Sequence, residues 1–279
     1  MKLGIVYDKR KLTKIFIKEA KKYFEDVKQI QIAEIKFKVK ERNEIFVNRS
    51  SLFSLDYLFA LPSIKNKEIF YTILRMISGV VKTNINPSSY LMFLNKGELY
   101  KMLKKKGIKV RKRILVNPRI NLEKIKKRIK FPITLIGGGR IVKVNTFSVL
   151  KGVVSSFTSM ESIELCFPIK RRKGYWVFSI GKKIFSYETK RKKVVFIKEI
   201  EKLVEKIKEV FNPDFFGVKL LETENGFVVD RIILNPDLVS LEKVFGRKIF
   251  KDLFSYIKSK AEKPSAMDIL FKILGRFRV

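Results

Sequence analysis

The stretch Phe216-Gly217-Val218-Lys219-Leu220-Leu221-Glu222, followed by Gly226-Phe227-Val228-Val229-Asp230-Arg231-Ile232-Ile233, decides how the rest of the chain is read. Both runs are rich in β-branched and aromatic residues, and Glu224-Asn225-Gly226 between them is a turn signal. They predict an antiparallel hairpin. Pro236 and Leu238 follow it, and Val239–Phe245 and Ile249–Ile257 read as closing helical pieces. Ahead of it, Ile200, Leu203, Val204, Ile207 and Phe211 share one face of a helix running from Ile197 to Phe211. Before that helix stand three strand-like runs, Ser162–Phe167, Tyr175–Ile180 and Ile184–Tyr187, the last two turning at Gly181-Lys182-Lys183.

Further towards the N-terminus, Pro132–Ile136 and Ile141–Val144 flank Gly137-Gly138-Gly139-Arg140 as a second hairpin. Asn121–Lys130 reads as a strongly basic helix with Leu122, Ile125 and Ile129 as its apolar stripe, and Ile108–Val116 as a strand. Asn86-Pro87-Ser88-Ser89 starts a short helix, and a second helix runs from Glu98 to Lys106 and stops at Gly107. Residues 1–85 alternate strand Lys2–Tyr7, helix Leu12–Phe24, strands Gln29–Lys40 and Leu55–Leu61, helix Glu68–Ser78 and strand Val80–Thr83. The whole predicts an α/β (α+β) protein: an open α/β domain over 1–85, then a helix and antiparallel-sheet body over 86–262, in parts 86–150 and 151–262. A basic tail, 263–279, carries Ile269, Leu270, Ile273, Leu274 and Phe277 near one face. It docks on the body, on a protein partner or on an anionic membrane.

Composition narrows the chemistry. The 279 residues are 46% hydrophobic, enough for a real core, and no window of uninterrupted apolar residues is long enough to span a bilayer. The expected location is the cytoplasm. With no histidine, Ser-His-Asp triads, Cys-His pairs and histidine zinc sites are excluded. The single cysteine, Cys166, sits in a strand-like run and reads as a small core residue. Charge dominates: 62 Lys+Arg against 27 Asp+Glu give a net +35. Such self-repulsion calls for a polyanionic partner, foremost RNA or a ribonucleoprotein such as the ribosome. The lysine-rich, thermophile-like composition supplies part of that excess, but glutamate does not rise with it.

The order of elements resembles a known family. Asn95-Lys96-Gly97-Glu98-Leu99 … Leu103-Lys104-Lys105-Lys106-Gly107-Ile108-Lys109-Val110 is similar to the segment that opens an ATP-grasp domain. The hairpin quoted first resembles that domain's metal-binding hairpin, and Val244-Phe245-Gly246-Arg247-Lys248-Ile249 the tract after it. Spacing throughout resembles the RimK/LysX branch of carboxylate–amine ligases, over most of residues 1–260. The resemblance implies Mg²⁺ ligands on the hairpin, yet the matching positions are Lys219, Arg231 and Ile233. Cations cannot supply the hard oxygen donors magnesium needs. Asp230 is one position out, and strict alternation would turn it to the other face of its strand. The nucleotide-contacting lysine falls on Ile136, the hinge acid on Leu165 or Cys166, and the phosphate-meeting arginine on Trp176. The long Arg-Gly-Gly loop is shortened to Thr189–Val195. Together these departures argue for a degenerate site.

Two function classes follow. In the first, the chain is a non-catalytic RimK-like homologue that binds RNA, with no cofactor and no metal. The basic surface is then Lys104, Lys105, Lys106, Arg111, Lys112, Arg113, Lys126, Lys127, Arg128, Lys170, Arg171, Arg172, Lys173, Lys190, Arg191, Lys192 and Lys193. Trp176, with Tyr175, Phe178 and Tyr187, is interleaved for base stacking or, equally, half buried as core. Gly137, Gly138, Gly139 and Arg140, together with Lys219 and Arg231, form a residual phosphate-binding cleft, or else a plain hairpin bend and a structural ion pair. In the second, the chain is an active ATP- and Mg²⁺-dependent carboxylate–amine ligase with metal ligands relocated to Asp230, Glu222 and Asp237. A scaffold role with a merely solvated basic face is a third, weaker reading.

Overall fold

The computed structural model describes residues 1–8, 12–38, 44–48, 50–62, 66–157 and 162–263. The amphipathic tail read from Ser265 onward lies outside the described residues.

The chain opens with β1 (Lys2–Tyr7), α1 (Lys14–Ala20) and β2 (Asp26–Gln31). A small antiparallel sheet of β3 (Ile35–Lys38), β4 (Glu44–Val47) and β5 (Ser50–Ser51) follows, then β6 (Tyr57–Leu61), α2 (Lys67–Ile77) and β7 (Lys82–Thr83). The parallel sheet has the order β2-β1-β6-β7. Every residue of β6 is buried, as a central parallel strand covered on both faces requires. The single strand expected over Gln29–Lys40 is two, parted by a 3₁₀ turn at Ile32–Glu34 that moves the chain from one sheet to the other.

Two short helices come next, α3 (Pro87–Leu94) and α4 (Lys96–Lys105). Asn86 caps the first by accepting from the Ser89 amide at 2.7 Å, with Pro87 in the first turn where its missing N–H costs nothing. Asn95 caps the second in the same way, and Gly107, at φ +73°, ends it.

β8 (Arg113–Val116), β9 (Ile133–Gly137), β10 (Arg140–Val144) and β11 (Ile163–Cys166) make an antiparallel sheet of order β10-β9-β11-β8. One helix, α5 (Phe147–Ser155), covers it, capped by Thr146. The sequence reading leaves this helix out, because Gly152, three valines and two serines depress its propensity although Leu150 and Val154 repeat at helical spacing. The helix expected over Asn121–Lys130 is a 3₁₀ segment, Leu122–Arg128. Lys124, Lys126, Lys127, Arg128 and Lys130 would repel one another at helical spacing, and only Leu122 is fully covered within it.

The last sheet, β13-β12-β14-β15, is antiparallel and joins β12 (Lys173–Ile180), β13 (Lys183–Glu188), β14 (Phe215–Thr223) and β15 (Gly226–Ile233). α6 (Lys198–Val210) packs on one face, and α7 (Leu238–Phe245) and α8 (Lys248–Ala261) close the other. The first and last sheets share their apolar cores. Leu58 and Phe70 belong with Val218 and Val229, while Phe59 and Phe16 belong with Phe215 and Phe250. The β8–β11 sheet has a core of its own, built on Leu135, Leu165 and Leu150. It is a separate lobe, and the face of its sheet opposite α5 is turned toward β15 across a cleft that Arg111 and Arg113 bridge.

Candidate functional site

The cleft is built by strand alternation. Leu135 and Leu165 point into the core under α5, so Thr134 and Cys166 share the opposite face with Arg113, each at a paired register position. Glu164, beside Ile136 and Leu115, lies on that face too. From the other lobe, Trp176 pairs with Lys219 and Lys219 with Arg231, so three neighbouring strands present one row: indole, ammonium, guanidinium. The Arg231 guanidinium lies 5.4 Å from the Trp176 ring centre.

Asp230 overturns the alternation argument. The register breaks between Lys219 and Leu220: Lys219 pairs with Arg231 and Leu220 with Val229, leaving Asp230 as the extra residue of a β-bulge. The bulge turns its carboxylate inward, with 3% of the side chain exposed, to within 3.5 Å of Lys219 Nζ and 3.9 Å of Arg231 Nε. The short contact is with Arg111, whose Nη1 donates to Asp230 at 2.8 Å. Burial pushes the Asp230 carboxyl up, but the hydrogen bond from Arg111 and the charge of Lys219 overcome it and hold it below its ordinary value. Burial pushes Lys219 down despite Asp230, with Arg231 and Arg171 adding repulsion.

Two arginines stitch the lobes together. Arg111 donates from Nε to the Phe167 carbonyl at 2.8 Å and from Nη2 to Thr134 Oγ1 at 3.2 Å, besides its bond to Asp230. Arg113 donates from Nη1 to Glu164 and to the Tyr100 hydroxyl, and from Nη2 to the Asp230 carbonyl at 2.6 Å. The Tyr100 hydroxyl in turn donates to Glu164 at 3.2 Å. Arg111 and Arg113, expected on an RNA-facing surface, are therefore turned inward, with side chains only 11% and 5% exposed. Carboxylates took them out of solvent: Arg111, just before β8, meets Asp230 of the other lobe, and Arg113 meets Glu164 on the neighbouring strand β11.

The remaining candidates divide. Lys104–Lys106 end α4 at the surface, with Lys106 3.0 Å from Glu209. Lys112 is exposed, 5.5 Å from the Phe167 ring. Lys126, Lys127 and Arg128 are exposed on the 3₁₀ segment. Lys170, Arg171, Arg172 and Lys173, and Lys190, Arg191, Lys192 and Lys193, are all exposed on loops or strand starts of the last sheet. Tyr175, Phe178 and Tyr187 are buried as core, so among the interleaved aromatics only Trp176 borders open space. Gly137–Arg140 is a hairpin bend with Gly138 and Gly139 at positive φ and an exposed Arg140 over Phe157. Cys166 is buried as expected, its thiol pushed up to about 11 by burial.

Sequence reasoning missed Tyr100, Glu164 and Lys96. Glu164 was legible as the one acid inside the apolar run Ile163–Cys166, where an unpaired charge could not stay. Lys96, the first residue of α4, lies 3.3 Å from the Phe93 ring centre, and burial pushes its ammonium down to about 7 against the pull of Glu164. Its folded value lies below the ordinary 10.5, so the unfolded chain holds the extra proton between those limits and stability rises with pH across them. Lys96→Met is expected to flatten that rise in pH-dependent urea unfolding and to gain about 1 kcal/mol at pH 7. An unchanged slope would show the amine to be well solvated.

The donors do not suit magnesium at the hairpin. Among the described residues no three His, Cys, Asp or Glu side chains group for a metal ion. Asp230 is held by cations, Glu222 accepts from the Tyr175 hydroxyl at 2.8 Å, and Asp237 caps α7 through the Val239 amide. The three carboxylates of the relocated-ligand reading thus serve three separate structural tasks.

No known protein-family profile and no curated protein sequence matches this chain. Solved structures do. The Sphaerobacter thermophilus RimK domain ATP-grasp protein superposes with a TM-score of 0.70 at 12% identity, over 92% of this chain and 99% of that one. The fold is ATP-grasp. Two more solved structures extend the likeness along nearly the whole chain. A Chryseobacterium gregarium RiPP-associated ATP-grasp ligase, in complex with ADP and a leader and core peptide, matches at TM-score 0.63 and 12% identity, over 95% and 98% of the two chains. The macrocyclase MdnC from Microcystis aeruginosa, bound with precursor peptide MdnA, matches at 0.65 and 12%, over 92% and 99%. The lobe with Arg113 and Glu164, the lobe with Lys219 and Arg231, and the N-terminal parallel sheet are thus parts of one ATP-grasp architecture. Among the described residues no helix is long and apolar enough to cross a membrane.

Proposed function

We propose that this ATP-grasp protein is an ATP-dependent carboxylate–amine ligase of RimK-like type that acts on an acidic polypeptide. One observation carries the substrate class: a cavity of about 540 Å³ between α4 and β8, walled by Gly97, Tyr100, Lys101, Lys104, Lys105 and Arg113. β8 is an edge strand of its sheet, so its outer backbone groups are open to an added extended chain, and the lysines beside it suit carboxylate side chains. Peptides in two of the similar solved structures, and the chain's charge of +35, support the same class of substrate.

The chemistry would move the γ-phosphoryl group of ATP to a carboxylate, releasing ADP. An amine would then attack the acyl carbon, forming the amide and releasing phosphate. This chain's own residues orient the reactants: the row Trp176–Lys219–Arg231 faces phosphate oxygens, and the α4–β8 cavity holds the acidic chain. The expected result is ADP release that needs an acidic polypeptide such as polyglutamate together with an amine. Lys104→Glu with Lys105→Glu should raise KM roughly tenfold and leave kcat nearly unchanged, since exposed charges act mainly on encounter and uniform binding. ADP release independent of the peptide would sink the substrate assignment.

The exposed runs Lys126–Arg128, Lys170–Lys173 and Lys190–Lys193 favour a second reading, RNA or ribonucleoprotein binding without turnover. It predicts salt-sensitive comigration with RNA particles in a sucrose gradient and no ADP release with any acidic polypeptide.

A further inference from the structure

We infer that the hairpin positions where an ATP-grasp enzyme would carry metal ligands are, in this protein, an anion site that binds the diphosphate of a nucleotide directly, without a divalent cation. The charges do not balance without one. Arg111, Lys219 and Arg231 converge on a single carboxylate, Asp230, and Arg111 already holds it at 2.8 Å. Lys219 and Arg231 stand farther off, at 3.5 and 3.9 Å, and each is 18% exposed, so both meet the cleft on their free side.

The hydrogen-bond count points the same way. Arg231 Nε is buried and has no hydrogen-bond partner, the Asp230 carboxylate standing 3.9 Å off, beyond hydrogen-bond reach. A guanidinium N–H left unpaired in a covered position costs free energy unless a ligand satisfies it. The Trp176 ring lies 5.4 Å from the guanidinium carbon, and 18% of the Arg231 side chain stays exposed to meet an anion. Arg171 adds to the repulsion felt by Lys219, and an arriving anion relieves it. Guanidinium and ammonium side by side form the donor set of a phosphate site, with a fork for paired oxygens and a point charge. Magnesium in this spot would meet the same two cations and be repelled.

This inference rests on the reading of the cleft as the nucleotide's place, but it requires no turnover, so the two can fail separately. The test is isothermal titration of the full chain with inorganic pyrophosphate and with ADP at low salt, in EDTA and then in excess Mg²⁺. Binding is expected in EDTA, with no gain on adding Mg²⁺. Lys219→Met and Arg231→Met should each weaken it roughly tenfold, about 1.4 kcal/mol. Lys219→Arg should keep most of the affinity, and Lys182→Met, on the exposed turn between β12 and β13, should change nothing. Circular dichroism of each variant separates lost folding from lost binding. Binding only with Mg²⁺, equal binding by wild type and Arg231→Met, or no binding in EDTA would each overturn the inference. Binding without ADP release would leave it standing and remove the ligase reading. ADP release with no Mg²⁺-free binding would do the reverse.

Discussion

Glu164→Ala is expected to cost about 3–5 kcal/mol of unfolding free energy. Glu164 and Arg113 face each other with side chains 9% and 5% exposed, so neither finds water when its partner goes. Arg113 would keep its bonds to the Tyr100 hydroxyl and to the backbone carbonyls of Arg111 and Asp230. None of these carries a full negative charge. The penalty comes from the stranded cation more than from the lost attraction, and this has a consequence. Glu164→Ala combined with Arg113→Met should recover more than half of the loss in urea unfolding, because no buried charge remains unpaired. A double variant as unstable as Glu164→Ala would place the loss in packing around Tyr100 instead.

The Glu164–Arg113 pair also shows what the sequence made legible and what it did not. Element order and turns were readable because they depend on local signals: Asn86-Pro87 as a helix start, Gly107 as a stop, Glu224-Asn225-Gly226 as a turn. The shared row of Lys219 and Arg231 followed from matching strand positions in one hairpin. Asp230 did not, because a bulge is a defect in the period that alternation assumes, and nothing in Val229-Asp230-Arg231 marks it by composition. Arg111 and Arg113 looked like two members of a basic surface. Their partners are far away in sequence: Glu164 reaches Arg113 through the pairing of β11 with β8, and Asp230 reaches Arg111 only where the two lobes meet. A charged run therefore reads correctly where it lies on a loop, as at Lys190–Lys193, and wrongly where it enters a strand that faces a cleft. The aromatics Tyr175, Phe178 and Tyr187 fail as a stacking surface for a related reason. Helices cover both faces of the last sheet, so the face that alternation would leave wet is buried too.

Asp230→Asn is expected to remove about 3 kcal/mol at pH 7, through the opposite imbalance: three cations left with no anion. Asparagine keeps the shape and one acceptor for Arg111, so the loss isolates charge from packing. The pH dependence gives the sign. The Asp230 carboxyl lies below its ordinary 3.8 when folded, so its contribution is complete above that value and disappears as pH falls through the lower, folded one. Wild type should exceed Asp230→Asn by a constant margin from pH 8 to about pH 4, and the two should converge below it. Added phosphate or sulfate should then stabilise Asp230→Asn more than wild type, because the external anion replaces the missing carboxylate among Arg111, Lys219 and Arg231. Thermal melts of the two proteins across pH and across phosphate concentration measure both effects. Equal stability at pH 7 would mean that the cage is slack and its cations are solvated. A pH-dependent difference that phosphate does not reduce would mean that Asp230 is balanced by Arg111 alone and that Lys219 and Arg231 respond to other groups.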